Sequence, residues 1–394
     1  MSSTNLSLFS QITSLLCRNT FTSVVNRYDS DKHSKGINSW THLVSMVFLH
    51  FAKVDSVRDI SKGLQSAHGN LSHLGISKAP SKSSISYINQ HRSWKVFMDY
   101  YFELLNKLEP SLQRKRKYGH QLKRKIFLVD STIISLCLSL FDWAKYRTHK
   151  GAVKVHTVLD YDSGLPCFAE VSDGKKHDLK GAKGFTYPAG SVLVMDRAYV
   201  DYSWLADLDS KGLFFVTRIK EGTLYQVIQD YAIPTHGGEV LADQDILLQG
   251  VKTSKVYPKP LRLVTFTDAE TGKVLVFLTN QMSWTAKTIS DLYKARWDIE
   301  AFFKQIKQTL RIKTFVGTSE NAVKIQIWTA MITILLIKYL INRAKYKWNL
   351  SNFVTMLRVY LFAKLDISLF LDEPFYKKKP PPALASLFPG GGSI

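Results

Sequence analysis

The sequence predicts an α/β core preceded by an all-helical segment, and three observations carry that prediction. From about residue 126 to 217, short runs of β-favouring residues alternate with helical patterns, as in a sheet flanked by helices. Residues from about 6 to 108 show apolar side chains at helical spacing and few strand signals. Between Tyr293 and Lys307, polar residues collect on one side of a helix and apolar residues on the other.

In the helical part, Asn38 to Phe51 repeats apolar residues at helical intervals, and Asp55-Ser56-Val57-Arg58-Asp59-Ile60 opens another helix with a capping candidate. The patterns Ser56 to Gln65 and Ser81 to Gln90 flank a connection containing Gly and Pro. This suits either an ordinary bundle or a helix-turn-helix variant, whose second helix would turn Ser81, Ser83, Ser84, Asn89, His91 and Arg92 toward DNA. Arg114-Lys115-Arg116-Lys117 and Lys123-Arg124-Lys125 then form a basic hinge.

Beyond the hinge, strands are expected at Ile126 to Val129, Val153 to Leu159, Phe168 to Val171, Val192 to Met195 and Leu213 to Thr217, with a helix at about Trp204 to Ser210. Strand-like pieces recur from about 222 to 283, separated by Gly, Pro and Asp turns, and read as a β-rich insertion. A long helix follows from Thr285 to Leu310. The chain stays helical to Asp372 and ends in a tail rich in Lys, Pro and Gly that is too polar and too broken to pack. The expected divisions are 1–118, 119–345 and 346–394.

The net charge is +21, from 53 Lys and Arg against 32 Asp and Glu. Such an excess points to a polyanion, nucleic acid foremost, against the plainer reading of charge that only keeps the chain soluble. The three cysteines form no CxxC or Cys/His array, which argues against zinc and a disulfide framework and fits a reducing cytoplasm. The opening Met-Ser-Ser-Thr-Asn-Leu-Ser lacks the features of a cleavable signal. Ile325 to Ile341 falls short of the roughly 20 residues a bilayer requires and reads as a buried helix, so no membrane partner is expected.

Two strand runs end alike, with four apolar residues and then an aspartate, Asp130 in one and Asp196 in the other. A carboxylate at the end of a buried strand must be paired, hydrogen-bonded or bound to a cation, although a turn or capping role is the plainer reading of each alone. At about 100° per residue, Tyr293, Arg296, Glu300, Lys304 and Lys307 share one stripe of the helix, opposite Leu292, Ile299, Phe302, Phe303, Ile306 and Leu310. The plain reading of the stripe is a solvated face with i,i+4 ion pairs. Trp284 and Trp297 read as core residues, with stacking on an unpaired base as the functional alternative. His177-Asp178 reads as a surface turn or as support for a metal site.

The spacing of Tyr293, Arg296, Glu300 and Lys307 resembles the Y(2)R(3)E(6)K signature of bacterial insertion-sequence transposases of the IS-four type, a group with an Asp-Asp-Glu triad. That resemblance implies a ribonuclease-H-like core carrying the β-rich insertion. It implies Asp130, Asp196 and Glu300 as ligands of two Mg²⁺ ions, with Mn²⁺ as a substitute. It implies DNA contacts from Tyr293, Arg296 and Lys307, and from a basic element at Arg218 and Lys220. The partners would be double-stranded DNA, both terminal inverted repeats and target, and a second copy of the chain in a homodimer. The implied reaction is cut-and-paste transposition through a hairpin. An endonuclease without strand transfer, or an inactive DNA-binding derivative, remains as an alternative.

Overall fold

The computed structural model describes residues 5–375 apart from 35, 68, 113–121, 123, 137–140, 142, 148–149, 174–177, 234–238, 269–270 and 310–314. The basic run 114–117, Lys123, His177, Leu310 and the tail after residue 375 therefore lie outside the described residues.

The chain opens with helices α1 (Leu8–Ser14), α2 (Arg18–Arg27), α3 (Ser39–Ala52), α4 (Val57–Gln65), α5 (Lys82–His91) and α6 (Lys95–Leu108). Their starts are written in the sequence: Ser7, Asn38, Ser56 and Ser81 each accept the backbone N–H three residues on, satisfying a donor that the helix cannot.

The sheet is built from β1 (Ile126–Leu136), β2 (Lys145–Arg147), β3 (Lys150–Asp160), β4 (Leu165–Asp173), β5 (Val192–Met195) and β6 (Phe214–Arg218), with α7 (Asp178–Lys183) and α8 (Tyr202–Ser210) between its later strands. Strands β1, β3 and β4 form an antiparallel meander, while β5 and then β6 lie parallel to β1 on its other side. A meander whose first strand is extended by two parallel strands is the ribonuclease-H-like arrangement. The expected fold is the observed one.

The next strands are β7 (Tyr225–Asp230), β8 (Val240–Leu248), β9 (Leu261–Thr267) and β10 (Val274–Thr279), with the short α9 (Thr253–Val256) between β8 and β9. They do not form a module of their own. Strand β10 pairs antiparallel with β6, placing Phe277 opposite Arg218 and Thr279 opposite Val216, so one ten-stranded sheet runs through in the order β2-β3-β1-β5-β6-β10-β9-β8-β7, with β4 also on β3.

Helices α10 (Ala286–Ala295) and α11 (Trp297–Thr309) replace the single long helix expected there. The backbone remains α-helical at Arg296, but the hydrogen bonds tighten: Arg296 N–H donates to the Tyr293 carbonyl and Ile299 N–H to the Arg296 carbonyl. A straight wheel through this point misplaces the residues before it. Tyr293 and Arg296, expected on the open stripe, are only 4% and 7% exposed.

Alternate strand residues feed two cores, as a sheet covered on both faces requires. Leu128 and Val194 join Ile289, Leu292, Ile299, Phe302, Phe303 and Ile306 of α10 and α11 on one face. Phe127, Val129, Leu193 and Met195 pack with Trp204, Leu205 and Leu208 of α8 on the other.

The chain ends in α12 (Glu320–Arg343), α13 (Leu350–Val359) and α14 (Ile367–Asp372). By length and apolarity α12 would pass as a membrane span, yet 83% of its most apolar window is buried in the protein, against α3, α5, α6 and α13. The first helix and the segment before α14 share one helical body. Leu8 and Phe9 N–H donate to the Ala363 and Leu361 carbonyls, and Gln11 bridges the Leu365 carbonyl and the Ile367 N–H.

Candidate active site

The parallel pairing of β1 with β5 sets Val129 beside Met195, so the next residues, Asp130 and Asp196, follow side by side where that pairing stops. Val129 and Met195 point into the α8 face; alternation turns the aspartates to the other face, where α11 lies. Asp196 also caps the tight turn Arg197–Tyr199, accepting the Ala198 N–H at 3.1 Å. Capping, the plainer reading of this residue, is thus part of its role. Asp130 does not end its strand: β1 continues to Leu136 against β3.

Glu300 reaches the same place from α11. Arg296 Nη1 lies 3.3 Å from Asp130 Oδ2 and 2.8 Å from Glu300 Oε1, which keeps those two oxygens within roughly 6 Å of each other. Asp196 is held separately, by Arg218 Nη2 at 3.0 Å from its Oδ2. The Tyr293 ring neighbours both guanidinium groups, 5.5 Å from that of Arg296 and 5.9 Å from that of Arg218, and packs on Phe277 at 4.8 Å. Four of the expected residues therefore form a chain of contacts, Asp196 to Arg218 to Tyr293 to Arg296, which ends on Asp130 and Glu300.

Burial pushes the Asp130 carboxyl up to about 6, and the charges of Glu300 and Asp196 push the same way; the Ser131 N–H and Arg296 offset only part of this. A partly buried carboxylate with two further acids near it gains from a bound cation. All its donors are oxygens, the chemistry of Mg²⁺ and Mn²⁺ sites. Among the described residues, no three acidic, histidine or cysteine side chains stand close enough to cage an ion as they are. Arg296 Nη1 sits in the gap between Asp130 and Glu300.

An open cleft of about 420 Å³ lies over this cluster, lined by Asp130, Ser131, Thr132, Glu300, Phe303, Lys304 and Lys307. Lys304 is exposed and Lys307 half-buried at its rim, while Lys220 is exposed just past the end of β6. Trp297, expected in the core, is 61% exposed beside the cluster, its ring 5.5 Å from the Arg296 guanidinium, because it starts α11 on the solvent side. Trp284 packs on Phe214, ring centroids 6.4 Å apart.

The second helix of the helix-turn-helix candidate is α5, but two residues expected to face DNA do not. Asn89 is buried against His42, Oδ1 to Nε2 2.7 Å, and Arg92 is buried on Asp31 at 3.1 Å and the Ile37 carbonyl at 3.0 Å. Both hold the bundle together. The outer face instead shows Lys82, Ser83, Tyr87, Gln90 and His91, with the Tyr87 and His91 rings stacked at 4.1 Å.

Residues 121–336, more than half of the chain, match the family model described as a transposase DDE domain, and residues 4–77 match that of a domain of unknown function. A Sinorhizobium fredii protein named as transposase y4zB is 30% identical over 75% of this chain and 82% of its own length. A Geobacillus stearothermophilus protein named as a transposase of insertion sequence element IS5377 is 30% identical over 64% of this chain and 67% of its own. A Synechocystis protein named as a transposase of element IS4SA is 26% identical over 74% and 81%.

Proposed function

We propose that this chain, which belongs to the family of bacterial insertion-sequence transposases with a DDE domain, cuts its own element out of DNA and joins it to a target, with Asp130, Asp196 and Glu300 holding divalent cations. The observation that carries this reading is the meeting of Asp130 from β1 and Glu300 from α11 on one Arg296 nitrogen at the wall of one cleft, with Asp196 at the end of the neighbouring strand β5. Two Mg²⁺ or Mn²⁺ ions, when bound, would polarise the scissile phosphate and activate the attacking oxygen.

The protein's own residues do the rest. Arg296 screens Asp130 and Glu300 from each other until the site is loaded, and it then becomes available for a phosphate, which a guanidinium grips with two parallel hydrogen bonds. Arg218 is related to Asp196 in the same way. Tyr293 neighbours both arginines. Lys307 and the exposed Lys220 supply point charges to the DNA backbone. This set would serve hydrolysis, hairpin formation and resolution, and strand transfer from one site.

In the helical part, residues 60–98 contain no Asp or Glu but carry Lys62, Lys78, Lys82, Arg92 and Lys95. An acid-free stretch around the exposed face of α5 supports a role for residues 1–118 in gripping transposon ends. Two ends brought together call for two copies of the chain, a homodimer on double-stranded DNA.

The test is to incubate the full chain with a duplex that carries the element's end and flanking DNA, in Mg²⁺, and to resolve nicked, hairpin and joined products. Asp130→Ala, Asp196→Ala and Glu300→Ala should each abolish cleavage and leave end binding within about threefold. Cleavage that survives any of the three overturns the assignment. Nicking with no hairpin or joined product would restrict the activity to that of an endonuclease.

A further inference from the structure

The structure assigns Asp178 a role as a positioning residue for Asp130, exerted through Ser131; the inference rests on Asp130 being a metal ligand. Parallel pairing of β1 with β5 stops at Val129, so from Asp130 onward β1 keeps only β3 beside it. The segment that carries the key carboxylate is thus the one that has lost a neighbour, and something else must fix it.

That support comes from the opposite face of the sheet. Alternation turns Ser131 away from Asp130, toward α7, and the pairing of β1 with β3 sets Ser131 opposite His156 and Ile133 opposite Lys154. Asp178, the first residue of α7, lies over this group. Its Oδ1 accepts a hydrogen bond from Ser131 Oγ and an ion-paired contact from Lys154 Nζ at 2.9 Å, with His156 Nδ1 3.8 Å away. One carboxylate therefore ties a helix to two strands. On the other side of the same residue, the Ser131 N–H donates to Asp130 Oδ1 at 2.8 Å. Fixing Ser131 by its hydroxyl fixes the N–H that aims the Asp130 carboxylate.

Gly181 shows how closely α7 is seated. A Cβ at this position would stand 2.5 Å from His156 Cγ, and His156 is buried, so only glycine lets the helix approach far enough for Asp178 to reach Ser131. Outer groups that orient metal ligands typically change metal affinity or rate by 10–100-fold when removed.

The experiment compares Asp178→Ala, Ser131→Ala, Ser131→Thr and the Ser131→Ala/Asp178→Ala double variant of the full chain. It measures Mn²⁺ binding by calorimetry without DNA, thermal unfolding, and end cleavage. Each alanine variant should weaken Mn²⁺ binding by about 10-fold or more. The double variant should be no worse than the weaker single one, and Ser131→Thr, which keeps the hydroxyl, should restore binding. Additive losses, or Mn²⁺ binding unchanged in both alanine variants, overturn the role. A loss of thermal stability alone, with Mn²⁺ affinity intact, makes Asp178 a purely structural staple and also overturns it. Asp130→Ala in parallel separates the two claims: cleavage surviving in that variant removes the functional reading itself, whereas cleavage lost there but unaffected by Ser131→Ala and Asp178→Ala removes only this inference.

Discussion

Replacing Asp130 by asparagine should make the metal-free protein more stable at neutral pH. The Asp130 side chain is 18% exposed, and burial, aided by Glu300 and Asp196, raises its carboxyl from an ordinary 3.8 to about 6. A carboxyl that holds its proton more tightly in the folded than in the unfolded chain costs stability as it ionises. The cost is absent well below pH 3.8, grows between 3.8 and about 6, and is complete above that. At roughly 1.4 kcal/mol per tenfold change in proton affinity, it reaches about 3 kcal/mol at neutral pH. Asparagine removes the charge but keeps an oxygen for the Ser131 N–H. Urea denaturation in EDTA should therefore place Asp130→Asn about 2–3 kcal/mol ahead of the wild type near pH 7.5 and no more than about 1 kcal/mol ahead near pH 4.5. The other titrating groups are common to both proteins and largely cancel in the difference. An asparagine variant that is less stable at neutral pH, or equally advantaged at both, refutes the picture of crowded, cation-seeking acids.

Three further expectations concern the rest of the molecule. Arg262, buried with Asp243 in a two-bond pair at 2.8 and 2.7 Å, should cost about 3–5 kcal/mol when changed to alanine, because an unpaired buried carboxylate is left behind; a loss under about 1 kcal/mol in urea denaturation would contradict this. Gly181→Ala should destabilise by about 1–3 kcal/mol and slow end cleavage together, since His156 has no room to move; full activity would show that α7 can shift freely. DNA affinity should fall steeply as salt rises from about 50 to 200 mM, given the net charge of +21, and a flat response in fluorescence anisotropy would argue against backbone-driven binding.

Much of the candidate site's placement was legible because its signals are local. Four apolar residues before Asp130 and before Asp196 mark buried strand segments, although only β5 ends there while β1 runs on to Leu136, and the apolar arc from Ile299 to Ile306 marks the buried side of α11. What failed depended on distant neighbours. A wheel could not show that Phe277, from a strand paired to β6, covers Tyr293, or that the helix tightens at Arg296. The run 222–283 shows its strands, but only the β6–β10 pairing makes them part of the main sheet. Asn89 and Arg92 look like surface residues of α5 until His42 and Asp31 are seen to meet them. Asp178 and Ser131, 47 residues apart, offer no periodic signal that would connect them.

The central claim is that Asp130, Asp196 and Glu300 share divalent cations, and anomalous diffraction from crystals of the full chain soaked in Mn²⁺ tests it most directly. The account predicts manganese signal in contact with carboxylate oxygens of all three residues, with Arg296 withdrawn from between Asp130 and Glu300. Manganese bound elsewhere, with Arg296 still bridging the two acids, would contradict it.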